Sequence, residues 1–568
     1  MKVLVAFALV ATRALATTSS SGQECLCTSD QSCWPNASEF SQLQTQVSQP
    51  LVYPSPTASA CYPASDPSGD CTEVIERWTD GTWRSSMPGS MEALNFETFM
   101  FENGTIDACY PNTTITGTCG QGIVPVIGVD ARLVADIQAG VSFAVEHNLK
   151  LIVKNTGHDY LGRSAARGSF VVWTHHMKNI TFNPTFVPQG APADQTYDAV
   201  TLGAGVQWGE ADAAVSENIR MIVGGAIASI GAAGGWLAGG GHSALSPTYG
   251  LGVDNAIEIS VVLSTGEHLT VNNYQNPDLF WALRGGGGST YGVVTSVTYR
   301  IYPSVPAQLY QFQANVTNSS AMLQLVGELL HSQTQFTDDG WGGSGSMDNQ
   351  TLSLSYMAPD MTSETAKATT QAWTNYALSL EPYGVTSTAA LISVPSWYDF
   401  FQEEFADVGL TGANEMLTSR LLSRDTVATE YSAVAEVLIA CGASFNTVAG
   451  GKVNQIDPDS AGLNPAWRNA VVEIICGVRW QDGASSTEIE GMIRRLKGLI
   501  KTMHDLTPHD GACFNEASLF EINWQETLFG SHYLTLKDIK NKYDPHKLFV
   551  VAEGVGSDDW NKELTCRF

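Results

Sequence analysis

The sequence has 568 residues, of which 43% are hydrophobic and 15% are charged, a composition typical of a folded protein with several domains. Its 29 Lys and Arg residues stand against 57 Asp and Glu residues, so the formal net charge is −28. Nucleic acids and anionic membrane surfaces are bound through clustered cations, and we therefore expect neither as a partner.

Residues 1–16, MKVLVAFALVATRALA, have the features of a secretory signal peptide. A positive start at Lys2 precedes a short apolar stretch, and small residues follow at a cleavage-like site, Ala14-Leu15-Ala16. The stretch is too short to cross a bilayer. Its removal would leave a net charge of −30. The remaining chain carries seven Asn-x-Ser/Thr sequons, which predict a secreted glycoprotein: Asn36, Asn103, Asn112, Asn179, Asn315, Asn318 and Asn349.

Residues 17–119 contain seven of the eleven cysteines and are rich in Ser, Thr and Pro, which predicts a disulfide-tied N-terminal extension. Cys109 and Cys119 could close one local loop, whereas the other pairings stay open. The odd total leaves at least one thiol unpaired or intermolecular. A zinc site is the poorer interpretation, because the cluster has no His and no CxxC pair.

Residues 120–303 alternate clear elements. A helix is predicted from apolar residues at helical spacing (Leu133, Val134, Ile137, Val141 and Val145), with Asp130 as its cap. Short apolar runs predict strands at 151–153 and 200–206, and a helix follows the second. The segment IEISVVLSTGEHLTV predicts a strand pair joined by a turn at 264–267.

Residues 304–510 show longer strand and helix patterns, including LQLVGELLHSQ and TEIEGMIRRLKGLIKTM, and predict a second α+β domain. Residues 511–568 form a separate C-terminal segment. We find no internal repeat.

Glycine clusters are the strongest local signal, and they do not match the common nucleotide-binding motifs. Gly203-x-Gly205-x-x-x-Gly209 has one residue too many for a dinucleotide fingerprint, and RGGGGS at 284–289 lacks the Lys of a P-loop. A GxSxG elbow and an HExxH helix are both absent from the sequence. Residues 231–241, however, form a glycine segment with six glycines. These glycines would let the backbone approach an anionic ligand; alternatively, they form a tight loop that binds nothing.

A second segment, KNTGHDYLGRS at 154–164, follows an apolar strand and contains His158 and Tyr160. Taken alone, His158 is more readily a structural histidine than a catalytic one. Four segments together resemble the berberine-bridge-enzyme-like branch of the vanillyl-alcohol-oxidase (PCMH-type) flavoproteins: KNTGHDYLGRS, GAAGGWLAGGGHSALSPTYGLGVDN, DLFWALRGGGGSTYGVVT and FNEASLFEINWQ…KYDP. The arm CLCTSDQSCWP also resembles secreted fungal members called isoamyl alcohol oxidases.

The resemblance implies an α+β fold: a two-part FAD-binding domain (120–303), a substrate domain with an antiparallel sheet flanked by helices (304–510), and a C-terminal segment (511–568) packed back on the FAD domain. It implies FAD bound covalently through His158. The other residues implied to hold FAD are Asn155, Thr156, Gly157, Asp159, Gly162, Arg163, Ser164, Gly231, Gly234, Gly235, Gly240, His242, Ser243, Val294 and Asn515.

Two departures from the family pattern matter. Many relatives attach the flavin a second time through a cysteine shortly before the glycine segment, but this chain has Ala226-Ile227-Ala228 there, so a single link is expected. Relatives also show Tyr-x-Asn in the C-terminal segment, where this chain has Cys513-Phe514-Asn515. The tyrosine that assists deprotonation of the substrate is therefore missing.

The general base must come from elsewhere, and Glu473 is the first candidate. It lies in the strand-like run NAVVEIICGVRW, where alternation places it on the same face as Ile475, opposite Ile474 and Cys476. Apolar surroundings would raise its pKa towards that of a working base. The alternative is a solvent-facing glutamate at a strand edge.

Glu516 is the second candidate, or else a salt-bridge or capping residue. Tyr160 matches a position that lines the family's substrate cavity, or it is a packing residue. Trp236 either narrows that cavity or belongs to the core.

The leading hypothesis is a secreted, monomeric FAD oxidase that acts on an alcohol-type small molecule and on O2, with no metal. The single link and Trp236 would favour a smaller or less polar substrate. A flavin-dependent oxidative cyclase or dehydrogenase of natural-product biosynthesis is the second hypothesis. A glycoprotein without catalytic activity is the third.

Overall fold

The computed structural model describes residues 24–404 and 411–568, so the predicted signal peptide lies outside the described residues. The strands in these ranges are β1 (Phe99–Met100), β2 (Ile106–Asp107), β3 (Ile127–Asp130), β4 (Leu151–Lys154), β5 (Phe170–Trp173), β6 (Ile180–Phe186), β7 (Tyr197–Gly203), β8 (Arg220–Met221), β9 (Ala256–Val262), β10 (His268–Val271), β11 (Val293–Arg300), β12 (Tyr302–Pro303), β13 (Ala307–Val316), β14 (Gly342–Met347), β15 (Thr351–Pro359), β16 (Val385–Val394), β17 (Asn414–Ser423), β18 (Ser444–Thr447) and β19 (Ala470–Trp480). The α-helices are α1 (Ala37–Gln44), α2 (Cys71–Glu76), α3 (Gly81–Ser85), α4 (Val134–Glu146), α5 (Trp208–Glu217), α6 (Gly235–Ala238), α7 (Ser246–Tyr249), α8 (Gly252–Asn255), α9 (Pro277–Leu283), α10 (Ser319–Asp338), α11 (Ser363–Ser379), α12 (Trp397–Glu404), α13 (Arg424–Thr429), α14 (Tyr431–Cys441), α15 (Ser486–Leu506), α16 (Trp524–Phe529) and α17 (Tyr533–Tyr543).

A small parallel sheet has the order β3-β5-β4, with α4 as the crossover between β3 and β4. The predicted helix is present, but its predicted cap is wrong. Asp130 ends β3, and the Asp136 carboxylate instead accepts hydrogen bonds from the N–H groups of Arg132 and Leu133, both at 2.9 Å. The carboxylate that accepts hydrogen bonds from the N–H groups just before the helix therefore belongs to the first turn of the helix itself.

A five-stranded antiparallel sheet has the order β10-β9-β11-β7-β6, which includes the predicted hairpin of β9 and β10. Strand β7 ends at Gly203 rather than at the predicted Val206. The cause is a turn, in which the N–H of Val206 donates to the Gly203 carbonyl at 3.0 Å and directs the chain into α5.

The largest sheet is antiparallel throughout, with the order β16-β13-β15-β14-β18-β19-β17. On β19, Ile474 and Cys476 pack into the core beneath α10, α11 and α14. Glu473 points to the opposite face, because it lies directly across from Leu421, which belongs to a different core. The predicted alternation is thus present, and the sheet directs Glu473 away from the helices.

That second core joins three parts of the chain that are far apart in sequence. It contains Trp236 and Leu237 of the glycine segment, Val297 of β11, and Phe514 and Phe529 of the C-terminal segment. Burial of this shared apolar surface holds the C-terminal segment against the glycine segment.

Ten of the eleven cysteines form five disulfides, and Cys513 is free and buried. The predicted Cys109–Cys119 bridge is present. The others are Cys25–Cys566, Cys27–Cys33, Cys61–Cys71 and Cys441–Cys476. All seven sequon asparagines are exposed. Within residues 24–404 and 411–568, no helix is both long and apolar enough to cross a membrane.

Candidate active site

The loop 155–164 follows β4 and is folded by its own acid. The Asp159 carboxylate accepts from the N–H groups of Leu161 (3.0 Å) and Arg163 (2.8 Å), and its other oxygen lies 2.7 Å from Arg163 Nε. Arg163 in turn donates to the Phe514 carbonyl at 2.9 Å and lies over its ring. A left-handed backbone at Gly162 (φ +73°) closes the turn. The loop is therefore fixed to the C-terminal segment.

His158 lies in this loop with its side chain 12% exposed. Its Nε2 atom is 2.8 Å from the Ser229 hydroxyl and 3.9 Å from Glu92 Oε1. Burial, together with the positive charge of Lys154, lowers the pKa of His158 to about 3. The imidazole is therefore neutral at physiological pH and keeps one nitrogen lone pair available for bonding.

The glycine segment leaves open space next to polar groups. An added Cβ at Gly234 or Gly235 would meet no described atom within 4 Å. Helix α6 begins at Gly235, so its first N–H groups have no partner inside the helix. Close by, Asn155 would contact a Cβ at Gly231; its Nδ2 donates to the Ala204 carbonyl at 2.7 Å, while its buried Oδ1 has no partner among the described residues. These groups could hold a polar ligand.

Asn515 brings the C-terminal segment to the same place. Its Nδ2 donates to the Gly235 carbonyl at 3.1 Å, and a Cβ on Gly239 would lie only 2.3 Å from it. Gly239 must therefore lack a side chain for Asn515 to reach the glycine segment.

A cluster of titratable side chains lies next to Asn515. His242 Nε2 is 3.3 Å from Glu516 Oε2 and 3.6 Å from Glu473 Oε2. Cys513 joins them, so that one ligand-type atom from each of the four residues lies within 4.8 Å of the others. Glu473 is fully buried, and its Oε1 has no partner among the described residues. The solvent-facing alternative for Glu473 is therefore wrong.

The charges within this cluster are coupled. Burial and the neighbouring Glu516 raise the pKa of Glu473 well above its usual range. Burial also raises the pKa of Glu516, but the His242 cation outweighs it and holds that pKa at about 2. Burial lowers the pKa of His242, yet the two carboxyl groups raise it to about 9. The cluster therefore holds an ion pair and, beside it, a carboxyl group whose surroundings favour the protonated form.

The sequence leaves two roles open for Tyr160 and for Trp236, lining the substrate cavity or packing in the interior, and the surroundings of the two residues differ. Burial and the carboxylates of Glu415 and Glu516 raise the pKa of Tyr160, so this half-buried phenol stays protonated within electrostatic reach of the cluster. Trp236 packs edge-on against Trp208 at 4.6 Å and is 8% exposed. It is a core residue, and it gives no information on substrate size.

The remaining predicted residues are less central to this arrangement. Gly157 and Gly240 have left-handed backbones, with φ of +97° and +119°. The Ser243 hydroxyl accepts from the N–H of Leu245 within its own turn (3.3 Å). The other three are a buried Thr156, a half-buried Ser164 and Val294 on β11.

Sequence reasoning missed two neighbours of His158, namely Glu92 and Ser229. Glu92 comes from the N-terminal segment, 66 positions earlier, and nothing in its local sequence sets it apart. Ser229 lies only a few residues before the glycine segment, at the position next to Ala228. Its closeness to the glycines was the one available signal.

Comparison with known proteins gives the class. A sequence profile described as "FAD binding domain" matches residues 127–272, and another described as "Berberine and berberine like" matches residues 512–556. A protein of Arthroderma benhamiae named "Uncharacterized FAD-linked oxidoreductase" is 33% identical over 568 residues, covering 98% of each chain. The chain belongs to the FAD-linked oxidoreductases of the VAO-type, berberine-bridge-enzyme-like family.

Solved structures agree with this assignment. The VAO-type flavoprotein MtVAO615 from Myceliophthora thermophila C1 is similar, with a TM-score of 0.86 and 27% identity over 96% of this chain and 100% of that one. Glucooligosaccharide oxidase from Acremonium strictum shares the fold, with a TM-score of 0.65 and 19% identity over 76% of this chain and 91% of that one. The FAD of that oxidase is described as 6-S-cysteinyl and 8α-N1-histidyl. The predicted α+β class and family resemblance are confirmed.

Proposed function

We propose that this FAD-linked oxidoreductase is a secreted oxidase with a flavin bound through His158 alone. It would remove hydride from an alcohol-type substrate and pass the electron pair to O2, giving H2O2. The observation that carries the proposal is the cluster of His242, Glu473 and Glu516 next to Asn515, in which Glu473 is fully buried. Burying a carboxyl group with an unpartnered oxygen costs stability, and this cost points to a functional role such as proton transfer.

The residues around the glycine segment fit FAD. The open space at Gly234 and Gly235 admits a ligand against the backbone, and the first N–H groups of α6, which have no partner inside the helix, suit a pyrophosphate. The unpartnered Oδ1 of Asn155 suits a hydrogen-bond donor of the ligand. When bound, FAD supplies the two-electron acceptor, and the chain supplies binding, orientation and proton transfer.

A single covalent link through His158 is supported by its chemistry and by the cysteines. The imidazole is neutral, and the related glucooligosaccharide oxidase carries a histidyl bond to its FAD. That oxidase also has a cysteinyl bond, but here residues 226–228 contain no cysteine and the free thiol of Cys513 lies in the carboxylate cluster. A single bond through His158 is the arrangement that these side chains support.

Glu473 is proposed as the group that takes the proton of the substrate hydroxyl. Glu516 is held ionised by His242, and a carboxylate with a pKa of about 2 is a weak base. The raised pKa of Glu473 makes it the stronger base whenever it is ionised. Tyr160, which stays protonated, would instead donate a hydrogen bond to the substrate oxygen.

Secretion is supported by several independent features. Residues 1–16 have the pattern of a signal peptide, five disulfides are present, and all seven sequon asparagines are exposed. Disulfides persist in oxidising compartments, where a covalent bond also prevents loss of the cofactor.

The proposal is tested by screening alcohols, sugars and phenols without oxygen and following the loss of flavin absorbance. An active alcohol should bleach the flavin and yield a carbonyl product, and admitting air should restore the colour and give H2O2. Bleaching that air does not reverse would indicate a dehydrogenase, and a product with a new ring would indicate a cyclase. A pure preparation without flavin absorbance would contradict every flavin-dependent function.

A further inference from the structure

We propose that Glu92, which lies in the N-terminal segment outside both profile matches, takes the proton from His158 when that histidine is joined to the flavin. This inference rests on the proposed bond at His158. It assigns to the N-terminal segment a role in attaching the cofactor, separate from oxidation of the substrate.

The backbone places Glu92 beside the histidine motif. Its N–H donates to the Gly157 carbonyl at 3.1 Å, and its own carbonyl accepts from the N–H of Gly412 at 2.8 Å. A Cβ at Gly157 would lie 2.9 Å from the Ser90 carbonyl oxygen, so a side chain there would push the segment away. The glycine before His158 is what lets the N-terminal segment approach this closely.

The Glu92 carboxyl group has no partner that would explain its burial. It is 4% exposed, and neither oxygen has a hydrogen bond among the described residues. The nearby Arg84 is paired with Glu97 at 2.6 Å, and Lys154 donates to the Met87 carbonyl at 3.0 Å. Nε2 of His158 lies 3.9 Å from Oε1. Such contacts often shorten once a reactive complex forms.

The geometry also selects the reacting nitrogen. Nε2 faces Ser229 and Glu92. Burial raises the pKa of Glu92 to about 8, so the group is a strong base in its ionised form, and in that form it favours the tautomer with the proton on Nε2. The lone pair then lies on Nδ1, which forms the bond. Bond formation through Nδ1 makes the imidazole a cation, and its Nε2 proton passes to Glu92.

The step is balanced as follows. A nitrogen–carbon bond forms between Nδ1 and the flavin 8α-carbon, and one C–H bond of that methyl group breaks. The electron pair of that C–H bond goes to the flavin ring. The ring also takes up two protons, which balance the proton lost from the methyl group and the proton that His158 releases to Glu92. O2 then removes two electrons and two protons as H2O2.

The test measures attachment of flavin rather than turnover. Full-length wild type, Glu92→Gln and Glu92→Asp are purified, and bound flavin is divided into acid-precipitable and released fractions. Conversion of the released form to the bound form is then followed by in-gel fluorescence after addition of FAD and air. Glu102→Gln, an exposed glutamate in the same segment, is the matched control.

We expect Glu92→Gln to bind FAD but to form the covalent bond at least about tenfold more slowly than wild type, the lower end of general-base effects. Glu92→Asp keeps a carboxyl group but withdraws it from Nε2, and should be intermediate. Should Glu92→Gln misfold, Glu92→Asp decides the question, since wild-type speed in that variant would contradict the proposal.

The two proposals fail differently. Equal rates in wild type and Glu92→Gln, with the flavin on His158 in both, would overturn the role of Glu92 and leave the bond intact. Absence of flavin on His158 in wild type would overturn the bond itself.

Discussion

Two histidines of the candidate site, both largely buried, face carboxyl groups, and they differ in charge. His158 lies 3.9 Å from one carboxyl group, and burial together with the charge of Lys154 lowers its pKa to about 3. His242 lies 3.3 and 3.6 Å from two carboxyl groups, which overcome burial and raise its pKa to about 9. The number and closeness of the acids therefore leave one imidazole neutral and make the other a cation.

The largest expected effect comes from removing the neutral histidine. His158→Ala should abolish covalent flavin, because the proposed bond is made through His158 alone. After acid precipitation, wild type should give a yellow pellet and the variant a colourless one with free flavin above it. His331→Ala, at an exposed position on α10, should behave as wild type. A yellow pellet from His158→Ala would contradict the assignment.

Removing the proposed base should slow the reductive half-reaction. Glu473→Gln keeps the shape of the side chain but cannot accept the hydroxyl proton, so anaerobic flavin reduction should fall at least about tenfold, or about 1.4 kcal/mol. Stopped-flow absorbance gives this rate directly. Glu490→Gln, exposed on α15, is the control. An unchanged rate in Glu473→Gln would exclude it as the base.

The charged histidine should control the pH dependence. Glu473 acts when ionised and its pKa is raised, so the wild-type rate of flavin reduction should rise with pH. His242→Asn removes the cation that stabilises both carboxylates, so their pKa values rise. The ascending limb should then move to higher pH by about one unit. A limb that stays in place or moves to lower pH would contradict the coupling.

The smallest effect is expected for the thiol in the cluster. Burial and the neighbouring carboxylates raise the pKa of Cys513 well above its usual range, so the thiol stays protonated and unreactive. Cys513→Ser should change the rate of flavin reduction by no more than about twofold, because it is not a proton acceptor there. A loss comparable to that of Glu473→Gln would give Cys513 a direct role.

The parts of the site that the sequence predicts are local. The loop 155–164 follows the end of a strand, and the glycine segment is a dense run of glycines, so both patterns are visible within a few residues. Glu473 was predicted because it lies in a strand-like run where members of the resembling family place polar, substrate-facing residues, and strand alternation, which is also local, gave its face. The family resemblance then indicated which of these residues belong to one site.

The rest depends on contacts between distant segments. His242 meets Glu473 and Glu516 only because the large sheet, the glycine segment and the C-terminal segment share one core. Glu92 approaches His158 through backbone bonds that no local pattern indicates. The sequence also leaves the role of Trp236 open, because a tryptophan can line a cavity or pack in a core. Its contact with Trp208 shows that it packs in the core.

The most direct test of the account is mass spectrometry of the wild-type tryptic peptide 155–163, NTGHDYLGR, released by cleavage after Lys154 and Arg163. The account predicts that this peptide carries one added flavin, with fragmentation placing it on His158. A fully processed, flavin-containing protein whose peptide has its unmodified mass would contradict the central claim.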